Sequence, residues 1–223
     1  MLSIVIPTYN SAMSLKKTIA SLVPPPYARE IIVVDGGSSD ATLKIAQELA
    51  DRIVTAPKGR GAQLKAGAEA ASGDWLLFLH SDTHLPDHWG AEVASFIAGQ
   101  SSDVRAGYFT FALDEEHEKA KRLEKIVSWR CRLLGLPYGD QGLLISRDHY
   151  DQVGGFSDIP LMEDVDMVRR IGKKHLKQLS VKAVTSAVKY QKEGYLRRMM
   201  RNATCLTLYF LGLSPQRILK IYE

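Results

Sequence analysis

The chain has 223 residues, 45% of them hydrophobic, which is enough for one large domain or a domain with a small appendage. Its two cysteines, Cys131 and Cys205, lie far apart with no Cys-x-x-Cys pair, which argues against a disulfide scaffold or a zinc site and points to a reducing, cytoplasmic compartment. The formal charge of +4 is mild and no nucleic-acid motif or stacked aromatic pattern accompanies it, so nucleic acid is not an expected partner.

Residues 3–7 read as a first strand ended by Pro7. No basic stretch precedes this run and no small-residue cleavage site follows it, so it does not read as a signal peptide. Thr8, Tyr9, Asn10 and Ser11 follow, then a helical pattern over 14–22 with Leu15, Ile19 and Leu22 on one face. Asn10 or Ser11 is the expected cap, and the helix N-terminus would offer free N–H groups to an anion. Pro24, Pro25 and Pro26 stop the helix.

Residues 30–35 form a second, β-branched strand ending in Asp35, followed by the turn Gly36-Gly37-Ser38-Ser39-Asp40 and a helix over 42–49. A strand-terminal Asp before a glycine turn can bond a base or ribose while the backbone approaches the ligand; the same residues also suit an ordinary βα turn with an Asx cap. This is not the Gly-x-Gly-x-x-Gly fingerprint of dinucleotide sites. Residues 52–55 read as a short third strand, and Lys58-Gly59-Arg60-Gly61 as a basic glycine loop able to grip phosphate. The helix over 62–71 is built of small residues and can pack closely on a sheet.

Residues 75–79 form a near-continuous apolar run, the signature of a strand buried on both faces, and end abruptly in His80, Ser81 and Asp82. Open α/β sheets bind ligands at that C-terminal edge, which makes Asp82 a candidate for a metal–diphosphate contact; capping the next turn is its plain structural alternative. Oxygen ligands of this kind suit magnesium or manganese. His80, His84 and His88 would share a face of one helix, but Pro86 opposes that helix and so opposes a histidine metal cluster.

Downstream come a helix over 88–99, a strand over 106–113, and a long amphipathic helix over 115–134 with Ile126, Trp129 and Leu133 as its apolar residues. The turn Gly139-Asp140-Gln141-Gly142 precedes a strand over 143–146. A helix then opens at Met162 with Glu163, Asp164 and Asp166 in its first turn, residues that complement the helix dipole or deliver a general base. One or two last strands lie in 177–188, and residues 193–222 form a basic helical tail. The apolar stripe of that tail is expected to pack on the domain's own sheet, with completing the acceptor side, a membrane surface or a second copy as the other readings. The run 206–213 is too short to span a membrane.

Taken in order, these pieces resemble an inverting family 2 glycosyltransferase of the GT-A fold. The residues that carry the resemblance are Ile4-Val5-Ile6-Pro7-Thr8-Tyr9-Asn10, Ile32-Val33-Val34-Asp35-Gly36-Gly37-Ser38-Ser39-Asp40, Gly59 onward to Gly67, Leu79-His80-Ser81-Asp82, Gly154-Gly155-Phe156 and Glu163-Asp164-Val165-Asp166. They cover roughly residues 1–190. The Gly139-Asp140-Gln141-Gly142 turn and the short tail look closest to a bacterial subgroup of small, soluble, selenodomain-associated members, some linked to arsenosugar biosynthesis.

The resemblance implies an α/β fold with a mostly parallel central sheet flanked by helices, a catalytic domain over 1–192 and a helical extension of it over 193–223. It implies that Pro7, Thr8, Tyr9, Asn10, Asp35, Gly36, Arg60 and Ser81 hold the nucleotide of a UDP-sugar donor. It further implies that Asp82, with His80, holds a divalent cation, Mg2+ or Mn2+, and that Asp164 is the general base with Glu163 beside it. The acceptor would be a hydroxyl of unspecified origin; a membrane surface met by the basic C-terminal helix and a homodimer partner also fit. Three departures stand out: Gly36 follows Asp35 where the family often has a second carboxylate, His80 stands where the metal motif usually has an acidic residue, and Leu64-Lys65 replaces the common Arg-Asn. A nucleotidyltransferase and a non-catalytic nucleotide-binding protein are the competing readings. The first would want a glycine-rich, basic N-terminal loop that Pro7-Thr8-Tyr9-Asn10-Ser11 does not supply.

Overall fold

The computed structural model describes residues 1–22, 27–99 and 104–222; the expected helix stop at Pro24, Pro25 and Pro26 lies outside them. Among the described residues the apolar runs become one eight-stranded sheet. β1 (Leu2–Thr8) pairs in parallel with β2 (Arg29–Asp35) and β4 (Trp75–Phe78), and β3 (Arg52–Thr55) extends β2 in parallel. β7 (Leu143–Ser146) then runs antiparallel to both β4 and β6 (Ala106–Leu113). β8 (Leu176–Thr185) is parallel to β6, and the short β5 (Thr83–His84) closes the edge antiparallel to β8. The sheet is therefore mostly parallel, with β7 as the internal exception.

Alternation along β1 explains its unbroken apolar sequence. Ile4 and Ile6 point to one face, where they pack with Leu15 and Ile19 of α1 (Ala12–Ser21) and Trp89, Val93 and Phe96 of α4 (Trp89–Ala98). Val5 points to the other, with Leu64 and Ala68 of α3 (Arg60–Ala70), Tyr150 of α6 (Arg147–Gln152) and Met167 and Ile171 of α7 (Glu163–Ile171). Both faces are covered, so a period of two leaves no polar position in the strand. The small residues of α3 do what their size allows: a Cβ on Gly67 would collide with the Val5 side chain and lie 2.8 Å from Val34 Cγ2.

The cap of α1 differs from expectation. Neither Asn10 nor Ser11 caps it by side chain; Asp40 Oδ2 accepts the Ala12 N–H from the neighbouring loop before α2 (Thr42–Leu49). The apolar face of α5 (Glu118–Leu134) also differs. It buries Ala120, Leu123, Val127 and Cys131 against β6, while Ile126, Trp129 and Leu133 are 48%, 61% and 52% exposed. The narrow, small-residue stripe lets the helix approach β6 closely, and the bulkier stripe is left outside.

The basic tail is three helices, α8 (Val188–Glu193), α9 (Tyr195–Phe210) and α10 (Pro215–Tyr222), broken at Gly194 and Gly212, both at φ +86°. Its core contacts are of two kinds. Tyr190 of α8 is buried with Tyr108, Phe111 and Leu113 of β6, on the domain's own sheet, while Cys205 and Ile218 pack with Leu136, Leu161, Met162, Val165 and Val168, so α9 and α10 roof the N-terminal end of α7. Cys131 and Cys205 are free and buried. Among the described residues, no helix is long and apolar enough to cross a membrane.

Candidate functional site

The C-terminal ends of β1, β2 and β4 meet along one edge. Thr8 is buried and its hydroxyl donates to Asp35 Oδ1 at 3.2 Å. Asp35, 1% exposed, spends its carboxylate on its own turn: Oδ2 accepts from the N–H groups of Gly37 (2.9 Å) and Ser38 (2.8 Å), and Oδ1 from the Ser38 hydroxyl. The Asx-turn role therefore accounts for its lone pairs, and what Asp35 fixes is the backbone of the Gly36-Gly37 loop. Asn10, at φ +49°, interlocks with that loop through Ser38 and Ser39. Gln63 of α3 braces Gly36 from beneath by donating to the carbonyls of Thr8 and Val34. Tyr9 stands out of this edge at 43% exposure, with the Lys58 ammonium 4.2 Å above its ring.

The end of β4 supplies His80, Ser81 and Asp82. The Ser81 hydroxyl bonds Ser11 Oγ, and its carbonyl accepts from Thr18. The Asp82 carbonyl accepts the N–H of Ser186, just after the strand that pairs with β5. Its carboxylate lies 3.5 Å from Lys189 Nζ of α8. Burial works against the charge, but Lys189 and His80 hold Asp82 below the usual carboxylate range. His80 Nε2 is buried without a hydrogen-bonding partner, and a Cβ on Gly139 would collide with it. Burial, reinforced by the nearby Arg60 charge, pushes His80 down to about 4, so its ring is neutral at physiological pH. His84 and His88 lie in β5 and before α4 rather than on a shared helix, and no group of three or more metal-ligating side chains occurs among the described residues.

The third component is the start of α7. Asp164 Oδ2 accepts the Gly139 N–H at 2.8 Å and Oδ1 accepts the Val165 N–H at 2.7 Å. Gly139 belongs to a 3-10 turn, Gly139–Gln141, braced by Gln141, whose amide donates to the Phe109 carbonyl while its oxygen accepts from Arg130. Glu163 points elsewhere. It is wholly buried, with Oε1 3.0 Å from Arg60 Nε. Burial pushes Glu163 up to about 7 against the pull of Arg60, with Asp164 adding to the rise. Glu163, expected beside Asp164, is set against Arg60 and anchors it.

A cavity of about 290 Å3 brings Arg60, His80, Asp82 and Asp164 together. Pro7, Thr8, Tyr9, Asn10, Asp35, Gly36, Ser81 and Glu163 are not in its wall. Two residues that the sequence did not single out as site residues are. Lys189 lies among several basic residues between Lys173 and Arg201, with no pattern that marks it out. Asp140 was visible as the acid of a glycine-flanked turn between a helix and an apolar strand, and its Oδ1 is buried without a partner. Burial pushes Asp140 up to about 6; Arg130 pulls it down and Asp164 and Asp82 push it further up. The cations Arg60 and Lys189, a neutral imidazole and three carboxylates thus line one cavity, an arrangement suited to binding a charged leaving group and moving a proton.

Comparison with known proteins bears on the family and the fold. The family model described as Glycosyl transferase family 2 matches residues 3–157. The glycosyltransferase AglE of Haloferax volcanii is 27% identical over 140 residues, which is 58% of this chain and 46% of that protein. The poly(ribitol-phosphate) beta-N-acetylglucosaminyltransferase TarS of Staphylococcus aureus is 29% identical over 112 residues, 46% of this chain and 20% of that protein. The chain thus spans under half the length of these relatives. The crystal structure of TarS 1-349 in complex with UDP-GlcNAc superposes with a TM-score of 0.64 at 17% identity, covering 99% of this chain and 70% of that one. Glucosyl-3-phosphoglycerate synthase from Mycobacterium tuberculosis, in complex with Mn2+, UDP and glucosyl-3-phosphoglycerate, superposes with a TM-score of 0.57 at 20% identity, covering 82% and 70%.

Proposed function

The chain belongs to glycosyl transferase family 2, and from that premise we propose that it moves a sugar from a UDP-sugar to an acceptor hydroxyl with inversion. The observation that carries the reading is that Asp82 and Asp164, from different elements, line one cavity. The neighbours described with UDP or UDP-GlcNAc support uridine as the base.

In this reading the nucleotide lies along the ends of β1 and β2. The exposed Tyr9 ring and the Lys58 ammonium above it offer a stacking face and a charge, and the loop held by Asp35 and Asn10 offers backbone. Asp82 and His80 would hold a magnesium or manganese ion by their donor chemistry, a carboxylate oxygen and a neutral ring with an unpartnered nitrogen. Such an ion, when bound, supplies positive charge to the departing diphosphate, and Arg60 adds to it. Asp164 takes the proton from the acceptor hydroxyl. The oxygen attacks the anomeric carbon, the bond from that carbon to the diphosphate oxygen breaks, and the electron pair leaves with UDP. The two N–H groups on Asp164 fix its orientation while leaving it capacity to accept that proton.

The test is Asp164→Asn, assayed as UDP release from a panel of UDP-sugars with a panel of hydroxyl acceptors. Loss of about 10²–10⁴-fold in turnover with UDP affinity unchanged is expected. Turnover near the wild-type rate would remove Asp164 from the role.

A further inference from the structure

We propose that the acceptor is an amphiphile, an alcohol whose reactive hydroxyl is carried on an apolar body lying between α5 and α9. This names the acceptor class for the glycosyl-transfer reading and rests on it. The cavity joins two chemically different groups of side chains. One is Asp82, Asp140, Asp164 and His80. The other is apolar and comes from two helices: Leu123, Ile126 and Val127 of α5, and Met199, Ala203 and Leu206 of α9, beside Arg130, Arg198 and Asn202. A polar acceptor such as a free sugar would need hydrogen-bonding partners along its length, because each desolvated hydroxyl without one costs affinity.

The cations of the wall are mostly engaged. Arg60 is set against Glu163 and Lys189 against Asp82. Arg130 donates to the Leu136 carbonyl and to Gln141 and stacks 3.4 Å over the Tyr138 ring. Arg198 is 8% exposed and donates to Glu193 and to the Tyr222 hydroxyl. Asn202 Oδ1 and Arg198 Nε, both buried and unpartnered, are left to meet a polar group beside the apolar residues.

A second observation points the same way. The apolar lining does not end at the mouth. Ile126 is both part of the wall and 48% exposed, and the same face of α5 continues through Trp129 (61% exposed) and Leu133 (52%). On α9, Leu196 and Met200 are 71% and 62% exposed. Basic residues Arg122, Lys125 and Arg132 share the α5 surface with that stripe. An apolar track that runs from solvent past Ile126 toward Asp164 suits a chain that enters lengthwise, hydroxyl first.

The experiment titrates the full chain, with UDP and Mn2+ present, with hexyl, octyl and decyl β-D-glucoside below their micellar concentrations. Affinity is expected to rise by about tenfold for every two methylenes. Ile126→Glu, at a position exposed enough to accept the charge, flattens that rise, and Leu49→Ser, exposed on α2 and outside the cavity wall, leaves it intact. Equal affinity for the three glucosides would overturn the proposal. So would an unchanged series in Ile126→Glu, or a series lost equally in Leu49→Ser. UDP affinity is measured in the same samples: its absence would defeat the donor reading while a surviving chain-length series would keep the apolar channel, so the two failures are distinguishable. Co-sedimentation with vesicles of phosphatidylcholine and phosphatidylglycerol separates the sources, pelleting for a bilayer-borne alcohol and no pelleting for a soluble one.

Discussion

The backbone N–H of Gly139 donates to Asp164 Oδ2 at 2.8 Å, which ties the turn before β7 to the first turn of α7. The same glycine leaves room for His80: a Cβ there would collide with Nε2. One small residue thus sets the position of the proposed base and of a proposed metal ligand. Gly139→Ala is expected to displace one or the other and to cost about 1–3 kcal/mol in stability from overpacking. Turnover is expected to fall by about tenfold or more while the fold persists. Thermal unfolding and UDP release measured side by side check this, and an alanine variant with wild-type turnover would contradict it.

Arg60 and Glu163 make a pair in which the carboxylate is fully buried and the guanidinium is not. Removing Arg60 leaves an uncompensated buried carboxylate, a loss of about 3–5 kcal/mol for pairs of this kind. The sign with pH follows from Glu163, whose folded value is raised to about 7 from 4.5. A raised carboxyl is protonated in the folded state at low pH, and its burden appears as pH climbs from the unfolded value through the folded one. The stability deficit of Arg60→Ala should therefore be larger at pH 8 than at pH 5. A deficit independent of pH in thermal unfolding would contradict the pairing.

Asp140 gives the same sign in isolation. Burial raises it to about 6 from 3.8, so in the wild type it costs stability once pH exceeds that range. Asp140→Asn should stabilise the protein at pH 7.5, by up to about 3 kcal/mol for a shift of this size, and confer no advantage at pH 4. Denaturant unfolding at the two pH values measures it. A destabilised variant at pH 7.5 would mean that the charged form is held by interactions stronger than its burial.

Much of the scaffold was legible because burial on both faces leaves an unmistakable run, as in residues 75–79, and because each run ends in polar residues where the sheet ends. Direction was not legible. The four residues Leu143–Ser146 carry no mark of whether they run with or against Trp75–Phe78, and they run against. On α5 two apolar stripes competed, and the bulkier one proved to be the exposed one, because close approach to β6 selects Ala120 and Cys131. Glu163 and Asp164 are adjacent in sequence, yet neighbours on a helix differ in direction by roughly 100°, and only Asp164 reaches the larger cavity while Glu163 is set against Arg60. Lys189 reaches Asp82 across 107 positions of sequence, a distance at which pattern says nothing.

The most direct measurement is calorimetric titration with UDP, with and without Mn2+, on the wild type and on Asp82→Ala. Binding by the wild type that tightens with Mn2+, and an Asp82→Ala variant in which that gain is lost, is the result expected if Asp82 helps to hold a cation at the diphosphate of a UDP-sugar. No UDP binding in either condition would contradict the donor assignment, and an Asp82→Ala variant with undiminished metal dependence would contradict the role of Asp82.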